Sequence, residues 1–421
     1  MPQPPSVRPG APVALTGAGV VSAIGNTLAA FDAALFAGRS AIRAQALDLP
    51  GIELPPVPVA SADFDAAAEE APSRVPLDRA TAMALAAARD AARAAALAPG
   101  GFDPERLGIF WGSGMAGAAT FEATCRTVYA DRRRMRPTSV VTTMPNAPVA
   151  EIALAFAARG AALSYACACA SSAVAIGEAM RAIRAGWIDV AIAGGSESML
   201  TPGVLASWQA MRVLVPLGAA ANDAAAVAAC CRPFAAERNG FALGEAAAAY
   251  VLESPAHAAA RGARADAILA GYASNCDGVH ITQPDAAGQA RAMTAALADA
   301  GLAASEIGYL NAHGTATTAG DAAEAESIAR VFGPGGVPVS STKAIHGHLL
   351  GAGGAVELLA ALRALVARRL PPTANVAAAD PAFAIDLVRG EARRADGLRA
   401  VMSNSFAFGG TNAVLIACRP D

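Results

Sequence analysis

The chain has 421 residues, 54% of them hydrophobic and 16% charged, with a formal net charge of −3. That length allows one large domain or two packed halves, and the apolar composition requires a large buried core and points to a large buried interface as well. The slightly negative balance argues against a nucleic-acid binder held by bulk charge, and seven cysteines without regular spacing favour reduced thiols in the cytosol over a disulfide framework.

The first ten residues, Met1–Gly10, are proline-rich and expected to be disordered. Arg8 followed by the uncharged run Ala11–Phe31 imitates a secretory leader, but Gly17, Gly19, Gly25 and Asn26 interrupt it. The run reads instead as a strand over Val13–Thr16, a glycine turn, and a helix from Thr27. A loop-rich insertion is expected over Ala44–Pro76. Next come a helix Asp78–Leu97, a strand Gly108–Trp111, a helix Pro148–Ala158, a strand Ala162–Tyr165 and a helix Ser171–Arg184. Strand Val190–Ala193, a second insertion over Pro202–Arg232 and strand Ala248–Leu252 follow. A further set has similar order: strand Ala267–Tyr272, helix Gly288–Ala300, strand Tyr309–Ala312, helix Asp321–Phe332, strand Val337–Ser340, helix Gly353–Ala367, then strands Ala384–Leu387, Ala400–Asn404 and Ala413–Ala417. The pattern is a layered α/β protein of two related halves meeting near Pro255–Arg264. The halves run over 11–255 and 256–421. The uncharged stretch Gly160–Gly177 is too polar to span a bilayer, so no membrane span is expected.

Chemistry concentrates in a few segments. Tyr165-Ala-Cys-Ala-Cys169-Ala-Ser-Ser runs from a strand into a helix, placing Cys169 beside unpaired backbone N–H groups and the positive end of the helix dipole. That position is expected to favour the thiolate and to hold an oxyanion when a thioester carbonyl is attacked. A small buried cysteine is the ordinary alternative, and Cys167, which does not adjoin the helix start, keeps that reading. Two of the five histidines stand on glycine-flanked loops: His313 in Asn311-Ala-His-Gly-Thr315-Ala-Thr317, and His348 in Lys343-Ala-Ile-His-Gly-His348. A nucleophilic cysteine with acid/base partners needs such groups. Lys343 shares a loop with His348 and is placed to balance a carboxylate such as Glu357. His346 has no such support. Near the C-terminus, Asn404-Ser-Phe-Ala-Phe408-Gly-Gly-Thr-Asn412 gives a tight turn whose N–H groups can face a ligand. Cys167-x-Cys169 and Cys230-Cys231 lack further ligands at fixed spacing, so no metal site is expected.

Taken together, these segments, with Gly194-Gly-Ser-Glu197, Arg238-Asn-Gly-Phe-Ala-Leu-Gly-Glu245 and Ser340-Ser-Thr-Lys343, make the chain resemble the elongating β-ketoacyl-acyl-carrier-protein synthases of the thiolase superfamily, from Val13 to Ile416. The resemblance implies a thiolase-like α-β-α-β-α fold and a decarboxylative Claisen condensation. Cys169 would take an acyl group from an acyl carrier protein. His313 and His348 would support decarboxylation of malonyl-carrier protein, and the product would be longer by two carbons, in fatty acid or polyketide-type biosynthesis. It also implies an oxyanion hole from the backbone N–H groups of Cys169 and Phe408, a gating role for Phe408, and pantetheine contacts from Thr315 and Thr317. Met115 falls where the family lines its acyl pocket. Arg132, Arg133, Arg134 and Arg136 fall in a segment suited to an acidic carrier protein, with a solvated charge run as the alternative; Arg74 is a weaker candidate. No cofactor of the chain's own is implied, because the phosphopantetheine arrives on the carrier. A homodimer is implied, or a heterodimer with a related subunit; the cytoplasmic setting is the expectation from the cysteine usage.

The chain departs from the family at Ala235, Asn239, Ala246 and Ala407, and a Cβ at Ala407 would stiffen the gate if that turn needs unusual backbone angles. None of these changes removes a reacting group. A coenzyme A-dependent thiolase would need a second active cysteine, and Cys418 lies beyond the Gly-Gly-Thr-Asn turn. A non-catalytic chain-length-factor-like subunit would lack the nucleophile, which is present here.

Overall fold

The computed structural model describes residues 11–98 and 100–420; the expected disorder of Met1–Gly10 lies outside them. Eleven strands form one sheet. In chain order they are β1 (Val13–Ser22), β2 (Leu107–Gly112), β3 (Ala162–Tyr165), β4 (Val190–Glu197), β5 (Ala246–Glu253), β6 (Ala267–Cys276), β7 (Tyr309–Asn311), β8 (Pro338–Ser340), β9 (Asp386–Leu387), β10 (Ala400–Phe406) and β11 (Thr411–Cys418). Across the sheet the order is β9-β8-β7-β10-β11-β6-β1-β5-β4-β2-β3. From β3 inward, the first five strands stand third, second, fourth, fifth, first in chain order. From β8 inward, β6, β7, β8, β10 and β11 stand in the same sequence, and the two sets join where Val13–Leu15 of β1 pairs antiparallel with Ala267–Leu269 of β6.

Helices fill the layers around this sheet. Here α1 (Arg79–Ala94) and α2 (Ala147–Phe156) cover one outer face, while α4 (Ala286–Ala300) and α5 (Thr318–Phe332) cover the other. Between them α3 (Ser171–Arg184) and α6 (Gly353–Ala367) pack on each other and on strands of both sets. This is the thiolase-like α-β-α-β-α layering. Small residues permit it: a Cβ on Gly354 would stand 2.7 Å from the Ala173 Cβ, so the two central helices approach closely. Val356, Leu358, Leu359, Leu362 and Leu365 of α6 are all buried, each contributing about 1.5–3 kcal/mol relative to exposure. The segment Leu350–Ala367 is long and apolar enough to cross a membrane, but 83% of it is buried inside the fold, where it serves as a core helix.

Two expectations need correction. The glycines after Thr16 do not make a turn; β1 continues to Ser22. A Cβ on Gly17 would lie 2.3 Å from the Ala91 carbonyl oxygen, and one on Gly19 would lie 2.1 Å from that of Ala87, so both glycines let α1 rest directly on the strand. The helix expected from Thr27 does form, over Leu28–Phe36, with the Thr27 hydroxyl accepting from the Ala30 N–H at 3.2 Å. The expected insertions are also more ordered than loops. Val57–Ala60 pairs with Arg43–Gln45 and with Leu243–Gly244 in a small second sheet. Pro202–Ala210 and Ala224–Ala228 are helical, the latter capped by Asp223.

Candidate active site

After β3 the chain makes one 3₁₀ turn, Ala168–Ala170, before α3 begins at Ser171. Ala168 has φ +46°, a left-handed conformation costing about 1–2 kcal/mol in a non-glycine residue. Ser171 holds it: its hydroxyl accepts from the Cys167 N–H at 2.8 Å and donates to the Ala168 carbonyl at 2.7 Å. The turn leaves Cys169 buried at the floor of a cleft of about 290 Å³. Cys167 is half-buried and does not line that cleft.

The histidines converge on the sulfur from two loops. His313 follows β7, and its N–H and that of Gly314 donate to the Glu324 carboxylate of α5 at 2.8 and 2.6 Å. His348 follows the short helix Lys343–His346; its N–H donates to the Ala242 carbonyl at 2.7 Å. The His348 Nε2 lies 3.1 Å from Cys169 Sγ, while its buried Nδ1 has no hydrogen-bond partner among the described residues. The two imidazole centroids are 5.3 Å apart with the rings nearly perpendicular, at 82°. Lys343 Nζ lies 3.4 Å from His313 Nδ1 and also bonds the His313 carbonyl and the Glu357 carboxylate, all out of solvent. His346 is used internally, with Nδ1 2.8 Å from the Gly347 carbonyl and Nε2 2.9 Å from the Thr342 hydroxyl.

Burial dominates the electrostatics. Both His313 and His348 are held well below the ordinary imidazole value by burial, with the Lys343 charge adding to the effect, so both rings are neutral at neutral pH. Burial pushes the Cys169 thiol up to about 12, against the opposing pull of Lys343 and of the Phe408 backbone N–H, which donates to the sulfur. The expectation that the helix start favours a resting thiolate is therefore corrected: desolvation outweighs the helix end, and the sulfur rests as a thiol facing a neutral base. Alkylation of Cys169 by iodoacetamide is expected to accelerate about tenfold per pH unit from about pH 7 to 10. Intact-mass kinetics reads this directly; a rate that levels near neutrality would report a thiolate instead.

Cys169, His313 and His348 offer ligand atoms that all lie within 4.8 Å of one another. The Lys343 ammonium beside His313 opposes a resident cation there, so the trio fits thiol chemistry better than metal binding.

Other expected residues fall in different places. Thr315 and Thr317 line the cleft, with their hydroxyls 2.9 Å apart. Phe408 lines it too, followed by Gly409 and Gly410 at φ +86° and +78°. Ala407 has no positive φ, and neither has Ala246, so a Cβ is unstrained at both. Glu357 joins Lys343 behind His313; burial pushes its carboxyl up to about 7 against the pull of that ammonium. Met115 is half-exposed and stands outside the cleft lining. Arg74, Arg132, Arg133, Arg134 and Arg136 are exposed; Arg133, Arg134 and Arg136 border a separate polar groove with Asp78 and Thr138.

Four contributors escape the sequence reading. Glu324 anchors the His313 turn. Glu197, at the end of β4, accepts N–H bonds from Gly114 (2.6 Å), Met115 (3.2 Å) and Gly351 (3.1 Å), joining the Met115 loop to the segment after His348. Phe241 packs edge-on against His348, with centroids 5.1 Å apart. Trp208 lies over Phe408. An available signal for Glu197 is its position within an apolar stretch of a chain with only 16% charged residues; Glu324, between Asp321 and Glu326, carries no such signal.

Residues 10–258 match the family described as β-ketoacyl synthase, N-terminal domain, and residues 266–377 match β-ketoacyl synthase, C-terminal domain. The chain is 41% identical to nodulation protein E of Rhizobium meliloti (strain 1021) over 344 residues, 81% of this chain and 82% of that protein. It is 38% identical to 3-oxoacyl-[acyl-carrier-protein] synthase 2 of Staphylococcus aureus over 346 residues, 81% of this chain and 84% of that protein. Among solved structures, the ishigamide ketosynthase/chain length factor is similar with a TM-score of 0.88 and 31% identity, covering 97% of this chain and 99% of that one.

Proposed function

The chain belongs to the β-ketoacyl synthase family, and from that premise we propose how its residues divide the condensation. It is an acyltransferase of the elongating kind, joining an acyl-enzyme thioester to malonyl-carrier protein with loss of carbon dioxide. The observation that carries the assignment is His348 Nε2 at 3.1 Å from Cys169 Sγ, with the His313 ring beside it.

In the first half-reaction Sγ attacks the acyl thioester as His348 Nε2 takes the thiol proton. The oxyanion is held by the N–H groups of Cys169 and Phe408, and the departing pantetheine thiol receives the proton. In the second, malonyl-carrier protein enters with its arm along Thr315 and Thr317. Its carboxylate leaves as carbon dioxide, and the electron pair becomes an enolate whose oxygen accepts from the Nε2–H of His313 and from His348 once the ring proton of His348 has moved from Nδ1 to Nε2. Lys343, bonded to His313 Nδ1 and carbonyl, keeps the proton of His313 on Nε2, toward that oxygen. The carbanion attacks the acyl-cysteine, the C–S bond breaks, and the leaving sulfur takes a proton from solvent. Phe408 gates the passage between the two halves.

The substrates arrive on an acyl carrier protein, so the chain needs no cofactor of its own. Arg132, Arg133, Arg134 and Arg136 supply exposed positive charge for an acidic carrier. The chain divides into related halves, 11–255 and 256–421, a reading supported by the shared strand order. It works in the cytoplasm as a dimer. The unpaired edge of β3, with exposed Leu163 and nearby exposed Val141 and Leu154, is the face for a second copy. A related subunit in that place is the second reading, favoured by the solved ketosynthase paired with a chain length factor.

The test is intact-protein mass spectrometry with a panel of acyl-carrier proteins. An acyl adduct on Cys169 is expected, lost on adding malonyl-carrier protein as a β-ketoacyl product appears. A purified chain that accepts no acyl group from any carrier, alone or with a co-purified subunit, would overturn the reading.

A further inference from the structure

Two aromatic rings beside the cleft, Trp208 and Phe241, are left unused by the condensation steps. Trp208, on the helix Pro202–Ala210, is half-buried, and its ring stacks on Phe408 with centroids 6.3 Å apart and planes at 22°. On its other side it meets Phe241 edge-on, at 5.8 Å and 71°, and Phe241 in turn meets His348 at 5.1 Å and 90°. Phe408 therefore rests against a wall braced by a catalytic histidine. Next in the chain stand Gly409 and Gly410 at φ +86° and +78°, a tight left-handed turn just before the strand Thr411–Cys418, with the Gly409 N–H donating to the Ile281 carbonyl at 2.7 Å.

We infer that Trp208 is a positioning residue that latches the Phe408 gate, so that malonyl-carrier protein is decarboxylated only after Cys169 carries an acyl chain; this rests on the gate role proposed for Phe408. The stack sets how often Phe408 leaves its resting place. A chain on Sγ occupies the space beside Phe408, displaces the ring from Trp208 and opens the passage. Without the stack, the gate opens before loading. Malonyl-carrier protein then loses carbon dioxide to no purpose: its C–C bond breaks, the enolate takes a proton from solvent, and acetyl-carrier protein accumulates.

The experiment compares Trp208→Leu and Trp208→Phe with the unmodified enzyme, each checked for an unchanged melting profile. Two rates are read: condensation with an acyl donor, and acetyl-carrier protein formed from malonyl-carrier protein alone. In Trp208→Leu the ratio of the second to the first is expected to rise about two- to twelvefold, the range that one aromatic contact supplies. Trp208→Phe, which keeps a ring in place, should restore the ratio to within about twofold. An unchanged ratio in Trp208→Leu, or an equal fall of both rates in both variants, overturns the latch. If the unmodified enzyme neither condenses nor decarboxylates, the catalytic reading itself has failed. A second measurement then still decides the latch: alkylating Cys169 with a dodecyl iodoacetamide should shift tryptophan emission, and Trp208→Phe should abolish that shift. No shift in the unmodified protein would overturn the proposal without reference to catalysis.

Discussion

Cys169→Ala is expected to abolish acyl loading, a loss of about 10⁴-fold or more, because among the described residues Cys169 is the cysteine whose sulfur meets the two histidines. Cys167→Ala should keep most of the activity. The two cysteines are two residues apart, and only the tight turn at Ala168 separates their fates: Cys169 faces His348 Nε2 at 3.1 Å, while Cys167 gives its backbone N–H to Ser171. Intact mass after incubation with acyl-carrier protein distinguishes them in one experiment. Equal acylation of both variants would mean that the wrong sulfur is assigned.

His313→Ala and His348→Ala are expected to lower malonyl decarboxylation by about 10²- to 10⁴-fold each, the range for removing a positioned acid/base or oxyanion donor. Their effects on acyl loading should differ. His348 touches the sulfur, so its removal slows loading as well; His313 contacts Lys343 and the second imidazole, so its removal should spare loading. Measuring carbon dioxide release and cysteine acylation separately resolves the two steps. Normal decarboxylation in both variants would sink the assigned roles. A melting curve measured beside each should be little changed, because Lys343 bonds the His313 carbonyl, which survives the substitution, and the buried ion pair with Glu357 should keep the loop in place. Removing Lys343 itself is less informative about chemistry: it strands a buried carboxylate, at a cost of about 3–5 kcal/mol.

The pH behaviour arises from the same burial. His313 and His348 stay neutral well below the ordinary imidazole range, so protonation of these rings should not limit acyl loading near pH 6.5. Glu197, pushed up to about 7 by burial, holds a proton in the folded chain that the unfolded chain releases at lower pH. The raised carboxyl therefore costs stability as pH climbs through the interval from the unfolded value up to about 7, and its effect is constant above that.

Much of this protein is set by local sequence physics. Strand Ala162–Tyr165 and helices Ser171–Arg184 and Gly353–Ala367 form where apolar runs, helix-favouring alanines and glycine punctuation put them. The reacting groups are legible too, since a cysteine at a helix start and histidines between glycines depend on neighbours within a few residues. Tertiary structure alone decided three things. It made Gly17 and Gly19 contact points for a helix some 70 residues on, so the strand runs through them. Glu324 and Glu197 became anchors for catalytic loops, because only the folded chain brings their carboxylates to those N–H groups. And it set the charge state of the nucleophile, where desolvation, a property of everything packed around Cys169, overrides the helix end that the sequence places beside it.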